Sequence, residues 1–588
     1  MKITCHSKNL SRPGRYCPPA LGNGELSMLV DYQGGTTPKK YCEDHISSGI
    51  WRAGYRYDSA ENGWGLVPFG FFEQLFDQSV EAAEWSQTLD IGGSATETEC
   101  RYTDGTVVRS YVSCHLQHNL VIIRKETNGR QPLRMRYSFG PKLTRVQPVS
   151  DTKLGYEVMT WEGIRGSIAF FSPDPEVAAV QGPEGITLSA AKTSAVFYLA
   201  FDEEAEFYAR THSFEEVENS NRAAWAAFWQ ESTLPADKLP ERVLQAARVA
   251  EYHLRISTTK WSIPVGIFAD HWEGRYFAFD EFFAMEGLLA AGHLELARRV
   301  PRYRFSQLDK YKYRAFSYFN KDCGAARCHW QTIEKSGIEC AANGFWADHI
   351  FHMATITVGA WNCALNGQDL DFLRETAYPL IRGCAEFYRI FSVEDKESGR
   401  YVVGKCTDLE RLGAARENAF MTSCGVIATF RIAAEAARLL DADPELQKKW
   451  SFLAGKLTES LPQDDRAYLP YPGCEEKSIG LLSGTFPFAN LPVDDPKQLR
   501  CLNDFCATES TAGNMYPVGK SICTWYAGWK AITLRRLGQI EKAQLTVQQM
   551  SEDTGYFAET FEIFELGNNP WFCTAEGVLL QAVCEAYR

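Results

Sequence analysis

The feature that most constrains the fold of this 588-residue chain is a change of pattern near residue 213. Up to about residue 205 the chain is a series of short β-type runs, such as 106–114, 119–124 and 194–201. Turn signals punctuate them at Gly92-Gly93, Pro173 and Pro175, and Gly182-Pro183. Many short strands with recurring turns predict an antiparallel β-sandwich over residues 1–212. Ser213-Phe-Glu-Glu216 then has the form of a capping box, which opens a helix. A helical linker is expected over 213–240 and a mainly helical domain over 241–588.

In that second part, apolar residues follow the helical period over 241–256, 281–300, 346–365, 370–391, 422–440, 521–537 and 574–586. Asp443-Pro444 marks a stop and restart after Leu440. With weaker blocks included, the helices number about ten to twelve, which suits helical hairpins stacked in a ring. Long segments at 309–345 and 457–519 read as loops, and long loops on a helical scaffold are where sites are built.

Composition narrows the function. The net charge is −13 with no basic tract, which excludes binding through phosphate neutralisation and with it a nucleic-acid partner. The segment 1–8 lacks the apolar run of a signal peptide, and no uncharged apolar stretch is long enough to span a bilayer. A soluble, cytoplasmic protein without a membrane partner is expected. The 18 cysteines are scattered without a CxxC pair, as expected of reduced, buried thiols. His329 lies close to Cys323, Cys328 and Cys340, but the spacing matches no standard zinc pattern, so a structural zinc is the minor reading here; neither a metal nor another cofactor is expected. Aromatic residues reach 13%, which suits sugar stacking and large cores alike.

Four segments of the helical part could carry chemistry. In the first, His271-Trp272-Glu-Gly-Arg275 leads to Phe279-Asp280-Glu281, acids among aromatics just before an apolar helix. They could grip sugar hydroxyls, or simply favour a helix N-terminus through its dipole. The second holds Asn343, Trp346, Asp348 and His349, the histidine reading equally as a core residue. The third is Asp408-Leu-Glu410-Arg411, where one carboxyl beside another could be raised into the range of a general acid. A surface charge cluster is the plainer reading. The fourth, Gly555-Tyr-Phe-Ala-Glu559-Thr-Phe-Glu562 followed by Pro570-Trp571, sets carboxylates among aromatics before the last helix. An acidic hairpin strand would look the same.

Together these segments resemble the six-hairpin (α/α)6-barrel glycosidases over roughly residues 240–588. The Phe279-Asp280-Glu281 core is similar to the Trp-Asp-x-Glu sugar-gripping segment of the kojibiose and maltose phosphorylase family. Residues 339–376, with Asp348-His349 and the later Asp369-Leu-Asp371, resemble its next hairpin. Asp408-Leu-Glu410, then Glu417-Asn418-Ala-Phe-Met-Thr422, resembles its acid loop, Pro-Asp-Glu-Tyr then Asn-Asn-Ala-Tyr-Thr-Asn. Leu21-Gly-Asn-Gly24 is similar to the opening of its β-sandwich and that of the related α-fucosidases. Two departures are Phe279 in place of Trp, and Arg411-Leu412 in place of Tyr-His. Phosphorylases need no base, because phosphate is the nucleophile. Here Glu559-Thr-Phe-Glu562 with Trp571-Phe-Cys-Thr574 is closer to the base segments of trehalases and processing-type α-glucosidases.

The resemblance implies an inverting, exo-acting hydrolase of a small α-linked glycoside, with Glu410 as general acid and Glu559 as base. It further implies Trp272, Arg275, Asp280, Glu281, Trp346, Asp348, Asp408, Arg411 and Trp571 around the substrate. An oligosaccharide or glycoside is the expected partner, and homodimer formation stays open. A disaccharide phosphorylase and a non-catalytic carbohydrate-binding protein are the alternatives.

Overall fold

The computed structural model of the protein describes all residues except 44–45, 58–63, 142, 159–163, 267–273, 334–336, 338, 340–345, 347, 397, 410–411 and 509–522. The N-terminal part is two antiparallel sheets. The larger has nine strands, in the order Lys2–His6, Ala82–Asp90, Ala95–Tyr102, Val107–Cys114, Leu120–Thr127, Ser194–Ala200, Arg165–Phe171, Lys153–Val158, Leu143–Ser150. The smaller has seven, from Ala178–Gly182 at one edge to Ala20–Gly22 at the other. Alternation along a strand does what its geometry requires: Thr96, Thr98, Cys100 and Tyr102 are buried while Glu97 and Arg101 are exposed. Residues of both sheets, among them Met28, Phe72, Val112, Ile123, Tyr137 and Phe197, share one core.

The strands end at Ala200 and the first helix, Glu203–Thr211, starts ahead of residue 213. Asp202 caps it, accepting the Ala205 N–H at 2.8 Å. The capping box forms at Ser213, whose hydroxyl accepts the Glu216 N–H while its own N–H donates to the Glu216 carboxylate at 2.7 Å. That helix, Phe214–Glu231, does more than link: its Trp225 and Phe228 pack into the sandwich core.

Six elements of the helical part pack neighbour to neighbour in a closed circuit. Helix Ala278–Ala290 lies against His352–Gly367, which lies against Phe420–Leu440. The short turn Ile479–Leu482 touches both Phe420–Leu440 and Thr524–Arg536; the latter packs on Cys573–Tyr587, which returns to Ala278–Ala290. Helices Glu241–Ser257, Tyr378–Phe391, Pro444–Glu459 and Ile540–Glu552 each pack on members of this set. Two helix backbones approach closely at Gly577, where a Cβ would stand 2.3 Å from the Phe283 carbonyl oxygen. Helix Phe420–Leu440 is long and apolar enough to cross a membrane by length and composition, yet 83% of that stretch is buried inside the protein.

Three elements differ from expectation. The 281–300 block breaks at Gly292 (φ +100°), continuing as Leu294–Ala297 and Arg299–Ser306. Leu308–Phe319, inside a segment read as loop, is a helix that buries Leu308, Tyr311 and Ala315 at helical spacing among exposed aromatic and basic residues. Pro496–Thr508, within the second such segment, is also a helix.

The two parts meet along a continuous seam. The Tyr252 hydroxyl donates to the Ala20 carbonyl at 2.8 Å, and the Trp571 indole N–H donates to the Pro18 carbonyl at 3.2 Å. The Leu21-Gly-Asn-Gly24 turn lies on this seam. Gly24 has φ +96°, and a Cβ there would stand 2.3 Å from the Thr258 carbonyl oxygen.

Candidate active site

The four segments are brought together at one end of the helical part. The first and fourth join where helices Ala278–Ala290 and Cys573–Tyr587 begin. Asp280, in a first turn, accepts a hydrogen bond from the Thr574 hydroxyl at 2.7 Å, and Gly266 bridges to Phe572. The second and third join through a parallel bridge between His349 and Thr407, with the Thr407 N–H donating to the Asp348 carbonyl at 3.1 Å. Aromatic rings span the gap between the two pairs. Phe279 stands 4.9 Å from Phe351, Phe351 5.5 Å from Trp330, Trp330 4.5 Å from His349, and His349 5.4 Å from Trp346.

The expected site residues divide by burial. Asp280 and Trp346 are half-buried, and Asp348 is exposed, 3.8 Å from Arg327. Glu281 does not stand beside Asp280 at the cleft. It is buried, with one oxygen on the Ser262 hydroxyl and the other paired with Arg304, whose Nε donates at 2.8 Å. Neighbouring positions on a helix point about 100° apart, so only one of the two acids faces outward. Arg275 is also buried and donates to Gln331 at 3.2 Å. Trp571, expected as a wall for sugar, is fully buried at the seam with the sandwich. Asp408 is buried and accepts both the N–H and the hydroxyl of Thr422. Burial pushes its carboxyl up to about 6, the two Thr422 bonds opposing. Trp272, Glu410 and Arg411 lie outside the described residues.

The turn before the last helix holds two carboxylates in different surroundings. Glu559 is fully buried, its Oε2 accepting the Phe557 N–H at 2.9 Å. It folds back over Gly555, where a Cβ would stand 1.9 Å from its Oε1. Burial pushes this carboxyl up to about 8, Glu576 adding to the shift and Arg242 opposing it. Glu562 lies in strand Phe561–Ile563, 9% exposed, and accepts the Asn569 side-chain N–H at 2.7 Å.

Two aromatic residues escaped the sequence reading. Trp330 is central to the ring series, and Trp525 is half-buried, 6.1 Å from Phe279 and 5.5 Å from Phe283. The Trp525 indole N–H has no partner among the described residues. Its place in the first turn of a helix aimed at this end, as with Asp280 and Thr574, was the available signal. In the 323–340 segment, His329 Nδ1 stands 2.9 Å from the Gly337 carbonyl and Cys328 Sγ 3.7 Å from Cys384 Sγ, while Cys340 lies outside the described residues.

Parts of the chain are similar to known proteins. The catalytic domain of glycosyl hydrolase family 95 matches residues 331–464, which carry the second and third segments. A kojibiose hydrolase of Mucilaginibacter mallensis is 24% identical over 398 residues, 65% of this chain and 55% of that protein. The chain thus aligns with little more than half of that relative's length. Among solved structures, a human-microbiome protein described as a kojibiose phosphorylase superposes with a TM-score of 0.69 at 10% identity, covering 99% of this chain and 88% of that one. A bacterial glucoamylase complexed with acarbose superposes with a TM-score of 0.60 at 10% identity, covering 97% and 94%. Both share the fold from sandwich to last helix.

Proposed function

We propose that this glycoside hydrolase, a member of the (α/α)6-barrel glycosidase superfamily, cleaves a small α-linked glucoside from its non-reducing end with inversion. The closed circuit of helices supports the barrel. The observation that carries the reading is the convergence of all four motif segments on one end of it, through the Asp280–Thr574 and Asp348–Thr407 contacts. The kojibiose hydrolase similarity favours an α-glucoside.

In this reading Glu410 protonates the leaving oxygen, and a carboxylate of the 555–572 turn takes a proton from water on the opposite face of the sugar ring. Inversion needs the two carboxyls roughly 6.5–9.5 Å apart. Glu559 is the base by motif. With its carboxyl held near 8, it is mostly neutral at pH 7 in the empty site, so hydrolysis should rise through an acid limb near pH 8. Glu562, less buried and hydrogen-bonded to Asn569, is the second candidate. Asp280, Trp346 and Asp348 hold the sugar, with Trp272, Arg411 and Trp525 around it. Glu281, Arg275 and Asp408 act from behind, holding the segments that line the cleft.

Proton NMR on the protein mixed with α-linked glucose disaccharides, with and without phosphate, tests the reading. The expected result is initial release of β-glucose without phosphate. Turnover only with phosphate would make it a phosphorylase, and α-glucose as first product would exclude inversion. Glu559→Gln and Glu562→Gln then divide the base role: the variant that loses hydrolysis while folding normally identifies the base.

A further inference from the structure

Behind the 555–572 turn lies a polar cluster that the proposed chemistry does not use. His253, on helix Glu241–Ser257, and Glu576, on helix Cys573–Tyr587, are both fully buried. Nδ1 of the imidazole stands 2.5 Å from Oε2 of the carboxyl, and its Nε2 stands 3.3 Å from the Ser257 hydroxyl. The Trp571 ring lies 5.0 Å from the imidazole, and Cys573 Sγ lies 4.0 Å from Nδ1. The Thr560 hydroxyl donates to the Phe572 carbonyl at 3.4 Å, next to Trp571. Thr560 is the residue after Glu559 and immediately precedes the strand that carries Glu562.

Burying an imidazole and a carboxyl costs desolvation that an apolar pair of the same size avoids. What the polar pair supplies is direction: its hydrogen bond fixes one helix against the other where the imidazole packs on Trp571, at the end of the backbone turn. A metal ion would not explain the geometry. Two ligand atoms on a tetrahedral zinc stand about 3.4 Å apart, given bond lengths of about 2.0–2.1 Å, whereas Nδ1 and Oε2 are at hydrogen-bond separation.

We propose that His253 and Glu576 are a positioning pair that, through the packing of His253 on Trp571 and the adjoining Thr560–Phe572 hydrogen bond, fixes the turn that carries Glu559 and Glu562. The role rests on the hydrolase reading; the anchoring of the turn is testable without it. Asn in place of His253 puts an amide nitrogen where Nδ1 stands, so His253→Asn keeps the contact to Glu576 and His253→Ala removes it.

The test combines steady-state kinetics on the α-glucoside panel with hydrogen–deuterium exchange of peptides covering 555–572, in wild type, His253→Ala, His253→Asn and Glu576→Ala. In His253→Ala we expect kcat to fall about 100-fold with KM changed less than about threefold, as for a small misplacement of a catalytic group. Exchange of 555–572 should speed up about tenfold, and His253→Asn should restore most of both. Should His253→Ala not fold, Glu576→Ala carries the same expectations. Unchanged kcat and exchange would overturn the proposal, as would a loss that His253→Asn does not rescue or stoichiometric metal in the purified protein. If wild type turns over no glycoside, the hydrolase reading fails, and the exchange result alone decides the anchoring.

Discussion

Glu559 sits where the neutral form of a carboxyl is favoured: it is fully buried with the Glu576 carboxyl nearby, which outweighs the opposing backbone donors and Arg242. The consequence for stability has a definite sign. Its folded pKa of about 8 lies above the ordinary value of 4.5, so between those pH values the folded state binds more protons than the unfolded one, and stability falls as pH rises. Glu559→Gln removes that dependence. We expect the variant to match wild type near pH 4 and to exceed it by a few kcal/mol near pH 8, read as denaturation midpoints across pH. A wild type equally stable at both values, relative to the variant, would show that the carboxyl is solvated. Asp408 is also buried, held by Thr422 fourteen residues on. Sequence marked both acids as notable, but the same letters fit a surface cluster. Only the burial that distant segments provide separates the two cases.

At the scale of elements, the pairing of helices Ala278–Ala290 and Cys573–Tyr587 aligns Asp280 with Thr574. That contact depends on two glycines. A Cβ on Gly577 would meet the Phe283 carbonyl at 2.3 Å, and one on Gly287 the Gly577 carbonyl at 2.4 Å. Gly577→Ala must therefore push the helices apart, and overpacking of this kind costs about 1–3 kcal/mol. We expect a lower thermal midpoint together with weakened substrate binding, checked by calorimetry and KM; an unshifted midpoint would mean the helices part freely. Legibility at this scale followed amphipathic contrast. Glu241–Ser257, Phe420–Leu440 and Cys573–Tyr587 were readable within a few residues because apolar positions recur on the helical period. Leu308–Phe319 was not, since its buried triplet is hidden among exposed Tyr313, Phe316 and Tyr318.

At the scale of the whole molecule, the sandwich and the helices share a seam, and Trp571 is one of its large wedges from the helical side. The ring is buried in the sandwich core, bonded to Pro18 and packed beside His253. Trp571→Ala should cost about 3–5 kcal/mol and uncouple the two parts, seen as a single calorimetric transition splitting in two. A single transition at an unchanged temperature would place the coupling elsewhere. Sequence by itself determined the order of a β part followed by a helical part, the capping box at Ser213, and the segments rich in acids and aromatics, because each is written in local spacing and residue type. Tertiary structure alone decided that Asp280 meets Thr574 while Glu281 pairs with Arg304, that Trp571 belongs to the seam, and that Trp525 packs on Phe279. Those outcomes depend on which elements pack together, and hence on contacts between residues hundreds of positions apart.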